Sequence, residues 1–268
     1  MEQYGFSYAA ATPAPQAAKA DAHALLDKGG NRLNLILAYL LFIMMSVSVG
    51  TLTAVLWMPA LPWLRGLPYY DKIYDISVVI DYILIFLFAL PTTVLGALRM
   101  AHRMCLGEKA DLSDIFYDYR YLPRTWVVLL IIFLPFLIIA GIWRVTPALL
   151  GYLKSAVVYG GSILRFFVVP AAIALSAGAL YLALRWFFFP GIIMRGDMTV
   201  RQALEASFSA SRGRMREITR FVLSFSGWAV FSLVSFGVIF IIHLAPYYTV
   251  SYMVYCNRMT DNTAEVML

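Results

Sequence analysis

Two ionisable side chains interrupt apolar runs of this 268-residue chain: Asp81 in VVIDYILIF and His243 in FIIHLAPYY. A charge-bearing group inside a hydrocarbon layer is costly, so such residues commonly mark proton or ion pathways. A carboxylate facing an imidazole would make a proton site, because histidine titrates near neutrality. Each residue also has a plainer reading. Asp81 falls about a turn and a half into its run, where it can sit at headgroup level beside Asp75 and Tyr82. His243 stands three residues before Pro246, whose missing N–H frees a carbonyl for the imidazole to bond. Both are candidate intramembrane polar residues, and spacing alone does not bring them together.

Other chemistry fails on inventory. The histidines His23, His102 and His243 fall on separate elements, and Cys105 and Cys256 are far apart, so no spacing matches a zinc site. Gly29-Gly30 and Gly160-Gly161 lack the Lys-Ser/Thr of a phosphate loop. Asp111, Asp114 and Asp118 spread round a helix axis, which suits a solvated face better than a cation site. Ser224, Ser226, Gly227 and Ser232 suit close helix packing. As nucleophiles they would need a base and an oxyanion site, and His243 is the only intramembrane base at hand. The expectation is a protein that is not an enzyme, with no catalytic, metal or cofactor-binding residues and no cofactor.

One cluster does point to a ligand. Val200, Ala203, Leu204 and Phe208 form an apolar stripe at helical spacing, with polar Ser207 weakening it. Thr199 and Gln202 make a capping box at its start. Arg201 lies beside the stripe, and Arg212, Arg214, Arg216 and Arg220 follow. An amphipathic helix of this kind can lie along the interface against anionic headgroups, or pack its stripe on the protein's own spans. The five arginines are therefore candidate lipid-contact residues.

The elements that position these residues follow from composition. Hydrophobic residues make up 62% and charged residues 13% of the chain, against about 25% charged in ordinary soluble domains. The bilayer is the solvent that such a sequence suits. Six apolar runs approach the roughly 20 residues that a span needs: Leu33–Leu56, Ile76–Leu98, Thr125–Trp143, Phe166–Leu184, Phe221–Ser235 and Val238–Tyr255. The last two are joined by Phe236-Gly237 alone, which requires a tight helical hairpin. Fifteen of the 21 basic residues fall on one side of these spans and five on the other, with Arg185 near the end of span four. The positive-inside rule then places both termini in the cytoplasm of a multi-pass inner-membrane protein. No cleavable signal is visible, and span one reads as a signal anchor. The formal charge of +6 describes a surface facing anionic lipid, not a nucleic-acid binder.

Three amphipathic segments lead into the spans about ninety residues apart, marked by Leu25/Leu26, Leu112/Ile115/Phe116/Tyr119 and Val200/Ala203/Leu204/Phe208. The period predicts an internal repeat of surface helix plus transmembrane hairpin. The fold class is therefore all-α and polytopic, with about six transmembrane helices as three hairpins, each preceded by a cytoplasmic amphipathic helix. Residues 1–31 form an N-terminal segment, expected to be disordered over 1–16 and weakly helical over Ala17–Lys28 up to the Gly29-Gly30 stop. Residues 32–259 form one six-helix domain, and 260–268 a tail. Asp111 is expected to cap the second amphipathic helix, and Pro123 to precede span three. Val145–Gly161 reads as a short outer interfacial helix, and Pro190-Gly191 as the break that ends span four.

The motifs LEASFSASRGRMREITRFVLSFSGW (204–228), FGVIFIIHLAPYY (236–248), LGEKADLSDIFYDYR (106–120) and ALLDKGGNRLN (24–34) occur in an order and spacing that resemble the bacterial integral-membrane family catalogued as domain of unknown function 975. The likeness is strongest over Gly107–Asn257. Ser226 departs from the family's apolar residue, and the loop after Trp143 is longer. The resemblance implies a helical membrane protein and implies no activity. The resulting expectation is a non-enzymatic scaffold or partner-support protein contacting anionic lipid, as a homo-oligomer or with a membrane partner. The competing reading is a transporter or lipid/peptide-handling protein with a polar intramembrane cavity.

Overall fold

A computed structural model describes residues 14–57, 79–80, 83–85, 87, 91–156, 161–195 and 198–267. Among them the chain is helical, with no strand. Four segments are long and apolar enough to cross a membrane: Asn31–Ser48, Pro123–Gly151, Phe166–Met194 and Met215–Val234. Asp81 and nine of the 23 residues of the expected second span, Ile76–Leu98, lie outside the described residues.

Helix α1 (Ala14–Leu26) starts three residues earlier than the sequence suggests. It ends two residues before the expected Lys28, and the chain then turns through Gly29 and Gly30, whose φ of +52° and +83° lie in a region that side chains rarely adopt. The Asn31 side-chain amide then donates to the Leu25 carbonyl at 3.0 Å, closing the α1 end as α2 (Asn31–Trp57) begins. At 1.5 Å per residue, the 27 residues of α2 extend about 40 Å. That exceeds the roughly 30 Å hydrocarbon core.

A π-helical turn, Pro91–Gly96, leads into α3 (Ala97–Cys105). The second amphipathic segment is a 3-10 helix, Leu112–Tyr121, and it runs directly into α4 (Leu122–Ala156). Helix α4 spans 35 residues with Pro135 and Pro147 inside it. The separate outer helix expected after Trp143 is thus a continuation of the same helix. Pro147 removes the donor that would bond the Trp143 carbonyl, yet the helix continues through it. Helix α5 (Gly161–Arg185) returns against α4.

Helix α5 stops at Arg185, five residues before the expected break, and residues 186–188 form a turn. Pro190 falls instead in the first turn of α6 (Phe189–Met194), where a missing N–H costs nothing. Then come α7 (Val200–Ala210), α8 (Met215–Leu223) and α9 (Ser226–Val234). The expected fifth span is therefore two helices, broken at Ser224-Phe225. The Phe236-Gly237 turn forms as expected, with φ of +51° and +83°. A π-helical segment, Phe240–Leu244, leads into α10 (Ala245–Met267).

The packed core does not lie among the long helices. It surrounds α10, whose Val250, Met253, Tyr255 and Cys256 are fully buried. Ala18 and Ala22 of α1, Met100 and Met104 of α3, Phe189 and Ile192 of α6, and Ile218 and Phe221 of α8 close round it. The Phe221 and Tyr255 rings stack at 4.7 Å and 10°, and Phe187 meets Phe221 and Tyr252 edge-on. These pairs add roughly 0.5–1.5 kcal/mol each beyond area burial. The short helices α1, α3, α6, α7 and α8 thus form a packed layer round α10.

Candidate functional site

The capping box at Thr199 forms as the sequence predicts. The Thr199 amide donates to Gln202 Oε1 at 2.9 Å, and the Gln202 amide donates to Thr199 Oγ1 at 3.4 Å. The buried face of α7 differs from the expected stripe: it is Ala203, Ser207 and Ala210. Val200 and Leu204 are half-buried, and Phe208 is exposed. Ser207 goes inward because its hydroxyl donates to the Arg185 carbonyl at 3.0 Å, satisfying the end of α5. Arg185 returns the bond, with Nη1 donating to the Phe208 carbonyl at 3.3 Å. Its guanidinium also lies over the Tyr181 and Phe208 rings at 5.5 and 5.8 Å. Arg185 is thus a clasp between α5 and α7. Arg165 lies at a position whose side chain is not described.

The five arginines separate into two groups. Arg201, Arg212, Arg216 and Arg220 are exposed on α7, α8 and the turn between them. Arg201 pairs with Glu205 at 2.9 Å, one turn along, both in solvent, where such a pair contributes little. Arg214 is half-buried, and its Nη1 donates to the Met259 carbonyl at 3.3 Å. The chain itself uses that guanidinium to tie α8 to α10.

His243 sits in the π-helical segment, and its ring lies 4.4 Å from Trp228 and 5.9 Å from Tyr247. Tyr247 in turn meets His23 of α1 at 4.4 Å. His243 is thus part of a row of rings leading from the hairpin down to α1. Because Asp81 is outside the described residues, the pairing of the two is not visible.

Asp114 corrects the expected solvated face. It is buried, accepts two bonds from Arg103 Nη1 at 2.7 and 2.8 Å, and accepts the Asp111 amide at 3.0 Å. Arg103 also pairs with Glu108 at 2.7 Å. Asp111 does act at the segment's start, where its carboxylate accepts the Ser113 amide at 3.3 Å. The side chain of Asp118 is not described.

One feature escaped sequence reasoning altogether. A half-open cavity of about 700 Å³ lies between α2, α4, the α5–α6 turn, the hairpin tip and α10. Its wall includes Tyr39 and Ile43, Ile132 and Phe136, Trp186 and Pro190, Phe236 and Phe240, and Thr249 and Tyr252. Three wall hydroxyls are already engaged. Tyr39 Oη lies 2.6 Å from Thr249 Oγ1, which donates to the Ala245 carbonyl at 2.7 Å. Tyr252 Oη donates to the Phe187 carbonyl at 2.7 Å and accepts the Gly191 amide at 3.1 Å. The Trp186 indole N–H is buried and has no acceptor. His243 is not in the wall. The cavity is apolar, not the polar cavity that a transporter reading requires. No local motif could announce it, because elements far apart in the chain supply its wall. No protein-family model, curated protein or solved structure matches this chain.

Proposed function

We propose that this chain is a non-enzymatic, multi-pass inner-membrane protein that holds a layer of short cytoplasmic helices against anionic lipid, as a scaffold or partner support. The observation that carries the reading is the outward exposure of Arg201, Arg212, Arg216 and Arg220 on α7–α8. Each basic group near an anionic leaflet contributes about 1 kcal/mol. The test is an R212Q/R216Q/R220Q variant, which spares Arg214 because of its bond to Met259. Native mass spectrometry after exposure to mixed phosphatidylglycerol–phosphatidylcholine vesicles should show reduced phosphatidylglycerol retention, with the loss mimicked by high salt in the wild type. Unchanged retention would leave the arginines as topology signals only. Membership of the domain of unknown function 975 family is part of this proposal and rests on the four motifs above.

The same reading puts both termini in the cytoplasm, on the fifteen-to-five basic bias. Six full crossings, as three repeated hairpins, are one topology that satisfies it. The hairpin geometry favours another. Lys19 of α1 lies 4.1 Å over the Phe225 ring, and His23 of α1 meets Tyr247, so both feet of the hairpin stand at the level of α1. From Phe225 to Phe236 the chain rises about 16 Å, half the hydrocarbon thickness. We infer that residues 225–247 enter and leave on the same side. A Phe236→Cys variant should resist membrane-impermeant maleimide added outside intact cells. Efficient labelling would restore six crossings.

A further inference from the structure

We propose that the cavity beneath the hairpin tip seats one acyl chain of a membrane glycerophospholipid. This goes beyond the arginine surface, which concerns headgroups and other residues. The argument is by elimination among what can fill about 700 Å³. That volume is in the range of small-ligand sites, about 300–1,000 Å³. Left empty, the wall would lose dispersion contacts on every side. Water needs two to four polar partners. The hydroxyls of Tyr39, Thr249 and Tyr252 are committed to protein atoms, which leaves Tyr248 as the one wall hydroxyl without a bond among those described. One free hydroxyl does not meet water's need, whereas hydrocarbon fits a wall that is otherwise apolar. The supply is at hand, because the cavity lies among apolar helices and is half-open to their surroundings.

The test uses the full chain, reconstituted into vesicles of phosphatidylethanolamine and phosphatidylglycerol, re-extracted in mild detergent and measured by native mass spectrometry. One phospholipid per chain should survive detergent washing in the wild type. Ala183→Phe and Ile132→Trp both fill the cavity, and each should lower the retained fraction at least tenfold. Ala183→Ser, which keeps the volume, should retain lipid as the wild type does. The R212Q/R216Q/R220Q variant should keep this one lipid, which separates the cavity from the arginine surface. If one filling variant fails to insert, the other carries the test. A wild type that retains no phospholipid, an adduct of free fatty-acid mass, or a filled variant that retains lipid like the wild type would overturn the proposal.

Discussion

The α4–α5 pair and the cluster around α10 draw on similar apolar residues, yet they face opposite solvents. Only 22% of Pro123–Gly151 and 11% of Phe166–Met194 is buried within the protein. Residues 250–256 of α10 are all buried. Helix α10 is nevertheless the less apolar element, carrying Tyr247, Tyr248, Tyr252, Tyr255, Asn257 and Arg258. In a bilayer the most apolar helices are the most exposed, because lipid tails are as good a solvent for leucine as the protein is. Hydrophobicity therefore locates the spans and says little about the core. The core lies where polar edges need partners, as in the Tyr252 hydroxyl that joins α10 to the α5–α6 turn.

That contrast can be broken by paired truncations. Phe221→Ala in the core should cost about 3–5 kcal/mol, because it leaves a cavity against Tyr255 and Phe187. Phe166→Ala on α5, an exposed position, should cost well under about 1 kcal/mol. Thermal melting of both variants in one detergent measures the difference. Equal losses would show that α5 is packed against something other than lipid.

Additions should discriminate in the same direction. A Cβ on Gly191 of α6 would run into the Cys256 sulfur and crowd the Tyr252 hydroxyl. Gly191→Ala should destabilise by about 1–3 kcal/mol. At Gly178 of α5 a Cβ meets nothing within 4 Å. Gly178→Ala should be neutral or stabilising by up to about 1 kcal/mol, through helix propensity alone. The same melts test the pair, and a stable Gly191→Ala would mean that α6 can shift away from α10.

Asp114→Asn probes the edge of the short-helix layer. It removes a charge from Arg103 and leaves the Asp111 amide a weaker acceptor, and should cost about 1–2 kcal/mol, since Arg103 is one-third exposed. Raising salt should shrink the effect only slightly if the pair is shielded as its geometry indicates.

The smallest effect concerns the thiols. Burial pushes the Cys105 thiol up to about 12 from a usual 9.0. The folded state therefore keeps a proton that the unfolded state releases first. The stability from this group is present below pH 9 and is lost as pH rises toward 12. At pH 8 Cys105 should alkylate at least tenfold more slowly in the folded protein than in denaturant. Cys256 is buried with its sulfur 3.6 Å from the Phe188 carbonyl and should react slowly as well. Rapid labelling of either thiol would show that the layer opens.

What the amino-acid sequence determined by itself is everything settled within a turn or two of chain. The capping box at Thr199, the stop at Gly29-Gly30 and the reversal at Phe236-Gly237 depend on a few neighbouring residues, and all three are present in the structure. Composition likewise marks the protein as one for a membrane, since that judgement is a sum over residues and needs no arrangement. Tertiary structure decided the rest. Ser207 is buried because the end of α5 arrives with an unpaired carbonyl, and Asp114 because Arg103 reaches it from α3. Arg214 turns inward because α10 presents the Met259 carbonyl, whereas Arg212 and Arg216 meet no such partner in the bonds described and stay exposed. The cavity needs α2, α4 and α10 to meet, residues more than 200 positions apart. A side chain's local pattern states which surroundings it tolerates, but a hydrogen bond or a packed ring forms only with the atom that the fold delivers to it.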